Sequence, residues 1–285
     1  MSILQGLILG AIQGLTEFLP VSSSGHLILT RLLMGISDAS SQAGAYLIFD
    51  ILLHAGTLAA VIITFWHDWW EMLKHLFHSR LFMLLIVASI PALIADLLFA
   101  DLIESLFTGW FMGISFLVTA LFLILGEFVS KRQRKAKMDP TVSSSLVMGC
   151  FQAIALLPGI SRSGASITGG LIAGLDRKTS AKFSFMMSAP AILGSLLVEG
   201  KDALAQGYLQ ELEILPTALG VVTAAISGCF AIRFMLRLIE RISLKWFALH
   251  VGLLGLIILC LQLIHYPGIP DFAIPALSFL RSPRG

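Results

Sequence analysis

Charge is what this sequence has least of. Only 13% of its 285 residues are Asp, Glu, Lys or Arg, about half of what a soluble domain carries. With 57% hydrophobic residues and a mean hydropathy of +0.90, that scarcity excludes an ordinary soluble globular domain. Cysteine is scarce too. Cys150, Cys229 and Cys260 stand singly in apolar blocks, which excludes a disulfide framework and a zinc site. The first nineteen residues lack the basic start of a secretory signal, so no cleaved leader is expected.

What the sequence does have is long apolar runs. Six reach crossing length, at 44–66, 81–99, 110–129, 180–198, 214–236 and 244–264. Four more, at 3–19, 25–35, 143–157 and 164–174, are too short or too polar to cross. They read as two re-entrant helical hairpins, 3–35 and 143–174. The tips are Pro20-Val-Ser-Ser-Ser-Gly-His26 and Pro158-Gly-Ile-Ser-Arg-Ser-Gly164. Backbone of this kind at membrane depth must be satisfied by protein or line a wet cavity. Two ordinary crossings with polar kinks are the plainer alternative.

The hairpins match each other at a constant offset. Gly10 pairs with Gly149, Gln13 with Gln152, Ser22 with Ser161, Ser24 with Ser163, Gly25 with Gly164 and Gly35 with Gly174. Each half then holds one hairpin and three crossings. Three is odd, so the second half is inverted relative to the first. The expected architecture is an all-α polytopic membrane protein, an inverted repeat of six spanning helices plus two re-entrant helical hairpins. It divides into a first repeat (1–130), a basic cytoplasmic linker (131–141), a second repeat (142–264) and an external tail (265–285), all one membrane domain.

Basic residues orient this arrangement. Fourteen of the nineteen Lys and Arg fall on one side, among them Lys74, Arg80, Lys131, Arg132, Arg177, Lys182, Arg237 and Lys245. By the positive-inside rule that side is cytoplasmic and both termini are external. The run from Lys131 to Lys137 is a topology signal; nucleic acid is not an expected partner.

Ionisable residues within apolar segments are functional candidates, and four stand out: Glu17, His26, Asp50 and Arg162. Gln13 and Glu17, four apart, share a helix face. If the tips meet, one pocket holds a carboxylate, an imidazole, several hydroxyls and a guanidinium. That set suits phosphoryl transfer. Arginine presents a planar fork to phosphate oxygens, and Gly/Ser tips opening short helices form anion nests. Serine or histidine can act as nucleophile, and a carboxylate can hold Mg²⁺ or Ca²⁺ or act as base. Each has a bland reading: serines as caps, His26 as an interhelical hydrogen-bonding group, Glu17 as a structural partner. His54 shares a face with Asp50, where it either extends the pocket or, the simpler reading, bonds between helices. Trp66, Trp69 and Trp70 read as an interfacial anchor.

The run Gln13-Gly-Leu-Thr-Glu17-Phe-Leu-Pro-Val-Ser22-Ser23-Ser24-Gly25-His26 resembles the first signature of the bacitracin-resistance family of undecaprenyl-diphosphate phosphatases. Pro158-Gly-Ile-Ser161-Arg162-Ser163-Gly164-Ala-Ser166 is similar to its second. The resemblance implies hydrolysis of a polyprenyl diphosphate lipid, recycling the carrier of cell-wall synthesis. It also implies a multi-pass protein of the bacterial inner membrane with its site facing the exterior, dependence on a divalent metal, and homodimers. It places metal or acid–base work on Glu17, phosphate binding on Arg162, and nucleophilic or acid–base roles on Ser23 and His26. Gln13, Ser22, Ser24, Gly25, Ser161, Ser163, Gly164 and Ser166 would contact substrate. Gln13 stands where a second carboxylate is found in other members. Phe247-Ala248 is followed by His250-Val251 where some members carry Tyr-Arg. A transporter or flippase of an anionic lipid is the rival reading, because inverted repeats with broken helices are a transporter plan.

Overall fold

The structure, a computed structural model, describes residues 1–36, 43–75, 78–106, 111–133, 135–205, 207 and 212–264. The tail expected at 265–285 lies outside them. The described residues form eleven α-helices, and the single β-type pairing among them is a bridge between Lys137 and Leu175. Six helices are long and apolar enough to cross a bilayer: α3 (Ala43–Thr64), α5 (Arg80–Leu106), α6 (Met112–Arg132), α9 (Arg177–Ala205), α10 (Ile214–Leu238) and α11 (Lys245–Leu263). They fall where the apolar runs are. Their outer faces carry exposed Leu97, Leu121, Ile226 and Leu253, whereas Ser115, Thr119, Ser180, Ser184 and Thr217 are buried between helices. Large apolar side chains outside and small hydroxylic ones inside is the pattern of helices packed in lipid.

The other helices are short. α1 (Ile3–Phe18) with α2 (Ser23–Leu33), and α7 (Val142–Ile154) with α8 (Arg162–Ile172), make the two hairpins. At 1.5 Å per residue they are roughly 16–24 Å long, under the ~30 Å of a hydrocarbon core. Ser2 and Thr141 cap α1 and α7 with the same reciprocal capping box. Gly35 and Gly174 follow α2 and α8 with positive φ of 68° and 91°. Matched positions thus have matched local structure.

The pairing between halves is reciprocal. α1 packs along α10, and its counterpart α7 packs along α5. Both crossings are close because of one matched glycine. A Cβ on Gly10 would run into the Gly220 carbonyl, and one on Gly149 into the Ala88 carbonyl. This exchange of partners is what a two-fold relation between the halves produces.

One element was not expected. Trp66–Lys74 forms a short helix, α4, rather than a loop with an aromatic anchor. It tucks Met72 inward, leaves Trp66 and Trp70 exposed and stacked at 5.9 Å, and is tied to α9 by Lys182 and Asp68 at 2.7 Å. The basic connections gather at this end. Arg177 and Lys131 bind Glu127 of α6, whose carboxylate also accepts the Leu244 N–H at the start of α11. At the opposite end the N-terminal ammonium pairs with Glu213, just before α10.

Candidate active site

Both tips are built around a serine cap. Ser161 caps α8, its Oγ accepting from the Gly164 N–H at 3.1 Å. Ser22 caps α2 in the same way through Gly25 at 3.4 Å. Ser22 does so at φ 71°, ψ 100°, the one positive φ outside glycine among the described residues. Such a conformation costs about 1–3 kcal/mol and persists only where the surroundings enforce it. The backbone turns sharply enough there to bring Ser23 back over the end of α1.

Glu17, 6% exposed, is where the tips converge. Its Oε2 accepts from Ser23 Oγ at 2.6 Å and Gln13 Nε2 at 3.0 Å, and Oε1 accepts from the Arg162 guanidinium of the second tip. His54 Nε2 lies 3.8 Å from Oε2. A second tip-to-tip bond runs from Ser163 Oγ to the Leu19 carbonyl at 2.9 Å. The expected meeting of the tips is therefore observed. The Arg162 side chain is 20% exposed, and its other terminal nitrogen, buried, has no hydrogen-bond partner. A half-buried guanidinium with one arm neutralised and one arm unpaired is arranged to take an anion.

The sequence profile described as Bacitracin resistance protein BacA matches residues 6–257. The undecaprenyl-diphosphatase of Carboxydothermus hydrogenoformans is 41% identical over 264 residues, 92% of this chain and 98% of that protein. Undecaprenyl-diphosphatase 4 of Bacillus thuringiensis (strain Al Hakam) is 42% identical over 266 residues, 93% and 99%. The chain belongs to the bacitracin-resistance protein family.

Within this family member the proposed contact residues divide into two groups. Ser22, Ser161, Ser163 and Ser166 are buried and engaged within the protein. Ser161 Oγ lies 3.2 Å from Ser163 Oγ, and Ser166 bonds the Arg162 carbonyl and Ser184 of α9, at 2.7 and 2.6 Å. These hydroxyls build the tips, and Ser22 and Ser161 already occupy the Gly25 and Gly164 N–H groups of the expected nests. Ser23, Ser24, His26 and Arg162 keep exposed surface. Asp50 is not at the junction; it forms an ion pair with Arg31 in the last turn of α2.

Three contributors carried no signal in the tip motifs. Thr119 of α6 accepts the Ser161 N–H at 3.0 Å, and Ser115, a turn earlier, donates to the Pro158 carbonyl at 2.5 Å, so α6 clamps the second tip. His250 of α11 is exposed and lies against His26, Nε2 to Nε2 3.2 Å. Hydroxyls and a lone histidine in apolar helices look unremarkable until the fold pairs them.

The donor set can also be matched to a metal. Among the described residues no three His, Cys, Asp or Glu side chains cluster as a cage. Gln13 Oε1 is buried without a hydrogen-bond partner, on the same helix face as the Glu17 carboxylate. Two protein oxygens with substrate phosphate and water completing the shell is an ordinary Mg²⁺ arrangement. Gln13 Oε1 is thus an unpaired oxygen for a hard divalent cation, and a Glu17 oxygen would have to be shared with Arg162 or Ser23 to complete the pair.

Proposed function

We infer that this family member hydrolyses undecaprenyl diphosphate to undecaprenyl phosphate and inorganic phosphate. The observation that carries the reading is the junction of the tips: Arg162 from one half on the carboxylate that also holds Ser23 from the other. Phosphoryl transfer depends on positioning and on stabilising charge spread over phosphate oxygens. Arg162 does both, its free arm taking an oxygen of the terminal phosphate. Ser23, hydrogen-bonded to a carboxylate at 2.6 Å, has the geometry of a nucleophile beside its base. Glu17 takes its proton as the Ser23 Oγ–phosphorus bond forms and the anhydride bond to undecaprenyl phosphate breaks. Water then attacks the phosphorus, the Ser23 Oγ–phosphorus bond breaks, and Glu17 returns the proton to Ser23 Oγ as inorganic phosphate leaves. His26 is tied at Nδ1 to the Ser22 carbonyl and at Nε2 to His250, which favours Ser23 over His26 as nucleophile. A divalent cation on Glu17 and Gln13 Oε1 would neutralise charge on the diphosphate.

The polyprenyl tail has a path. An apolar cleft of about 770 Å³ between α6 and α11 is lined by Leu117, Ala120, Ile124, Leu249, Gly252 and Leu253, on either side of His250 in sequence. Placement in the bacterial cytoplasmic membrane with the site open to the exterior is part of the proposal. Its support is the basic cluster around Glu127, Arg177 and Lys182 at one end. Homodimerisation belongs to it too, and particle mass in nanodiscs tests it. The functional test is phosphate release from undecaprenyl diphosphate by the purified protein, with and without chelator, beside Ser23→Ala. Release by the wild type, a loss of at least about 100-fold in Ser23→Ala and reversal of chelation by Mg²⁺ or Ca²⁺ are expected. Lipid movement without phosphate release would instead establish a transporter.

A further inference from the structure

His26 of α2 and His250 of α11, 224 residues apart, meet ring to ring, centroids 5.4 Å apart and planes 25° from parallel. Hydrogen bonding fixes where their protons sit. His26 Nδ1 lies 2.7 Å from the Ser22 carbonyl, which only accepts, so Nδ1 carries the hydrogen. The lone pair of a neutral His26 is then at Nε2. That nitrogen is 3.2 Å from His250 Nε2, so His250 must donate there, and its own lone pair is left at Nδ1. The His250 side chain is exposed at the protein surface, so this free nitrogen is not covered by protein.

Two imidazoles in this contact can share one added proton but cannot both be charged without repulsion. One added proton turns a neutral hydrogen bond into a charge-assisted one; two would set cation against cation. The surroundings bring no other charge to the pair. Phe116 of α6 covers His26 at 5.7 Å, the first tip offers the Ser22 carbonyl, and the Glu17–Arg162 pair touches α2 at Ser23, a turn away. His54 of α3 faces Glu17 instead. Among the described residues, no Asp, Glu, Lys or Arg side chain bonds either ring.

We propose that His26 and His250 act as one unit that takes up a single solvent proton when the diphosphate headgroup binds, and so supplies a second positive charge beside Arg162. The proton enters at His250 Nδ1; the hydrogen between the two Nε2 atoms is then shared, and no other bond changes. His250 acts through His26, as its positioning and charging partner. The proposal rests on the reading of this junction as the headgroup site, but not on hydrolysis.

The test is the affinity of the nanodisc-embedded protein for undecaprenyl diphosphate at about pH 6 and about pH 8.5, either side of an ordinary imidazole. Wild type, His250→Gln, His250→Phe and His250→Lys are compared, with initial phosphate release on the same samples. Wild-type affinity should fall by at least about tenfold between the two pH values, toward the tenfold per pH unit that one proton gained on binding gives at full uptake. His250→Gln keeps a donor to His26 but cannot be charged, so it should bind weakly and nearly independently of pH. His250→Phe should do the same. His250→Lys carries a fixed charge and should restore affinity at the higher pH. A His250→Gln protein with the wild-type pH dependence, or a His250→Lys protein no better than His250→Phe at both pH values, would overturn the proposal. If the wild type bound the lipid without releasing phosphate, hydrolysis would fail as a reading, and the affinity comparison would still decide the role of His250.

Discussion

Four side chains converge on the Glu17 carboxylate, and one of them is a guanidinium with little access to water. Removing one member of a buried ion pair leaves the other uncompensated, at about 3–5 kcal/mol. Glu17→Gln should therefore do two separable things. It should abolish phosphate release, because no other carboxylate among the described residues bonds Ser23, and it should lower the thermal midpoint, because Arg162 loses its counter-charge. Adding Arg162→Met to Glu17→Gln should recover much of the stability and none of the activity. Melting curves beside a phosphate assay check this; a double variant no more stable than Glu17→Gln would show that the pair is not the stabilising contact. Glu17 and Arg162 were legible in the sequence because an ionisable residue in an apolar run requires a partner. His250 was legible only as a departure from a motif, since its partner is 224 residues away. Asp50 looked equally functional, but its reason lies in Arg31.

At the scale of helices, the hairpins were readable from the repeat. Their serines were ambiguous, because a capping hydroxyl and a substrate-binding hydroxyl look alike in a Gly/Ser-rich run. Burial separates them: Ser22 and Ser161 cap, and Ser23 faces the site. α4 was missed because three tryptophans in nine residues read as an anchor rather than a helix. The packing of tip on tip yields a direct prediction. A Cβ on Gly164 would sit 3.4 Å from Pro20 Cβ, close to the ~3.8 Å separation in a disulfide. In a background lacking Cys150, Cys229 and Cys260, Pro20→Cys with Gly164→Cys should cross-link under mild oxidation. A folded protein that resists cross-linking would place the tips apart. The reciprocal crossings predict a matched pair as well. Gly10→Ala and Gly149→Ala should each destabilise by about 1–3 kcal/mol through overpacking, read as a lowered thermal midpoint; a neutral effect at either site would mean the helices are not in contact there.

For the molecule as a whole, sidedness follows from where charge collects. Lys131, Arg177 and Lys182 are held at one end by Glu127 and Asp68, and Met1 and Glu213 meet at the other. On intact cells, an impermeant thiol reagent should label Glu213→Cys and spare Gln133→Cys; the reverse pattern would invert the orientation. The apolar runs made this scale the most legible, because bilayer thickness sets their length. What they could not convey is which side chains meet at the centre, where each half contributes one part of the site. Arg162 tests that claim most directly. Phosphate release and lipid affinity are measured on purified wild type, Arg162→Lys and Arg162→Ala. Lysine keeps the charge and loses the fork, so Arg162→Lys should bind the lipid and release phosphate at least about 100-fold more slowly. Arg162→Ala should lose both. An Arg162→Ala protein that binds and hydrolyses undecaprenyl diphosphate like the wild type would contradict a hydrolytic site built from the two tips.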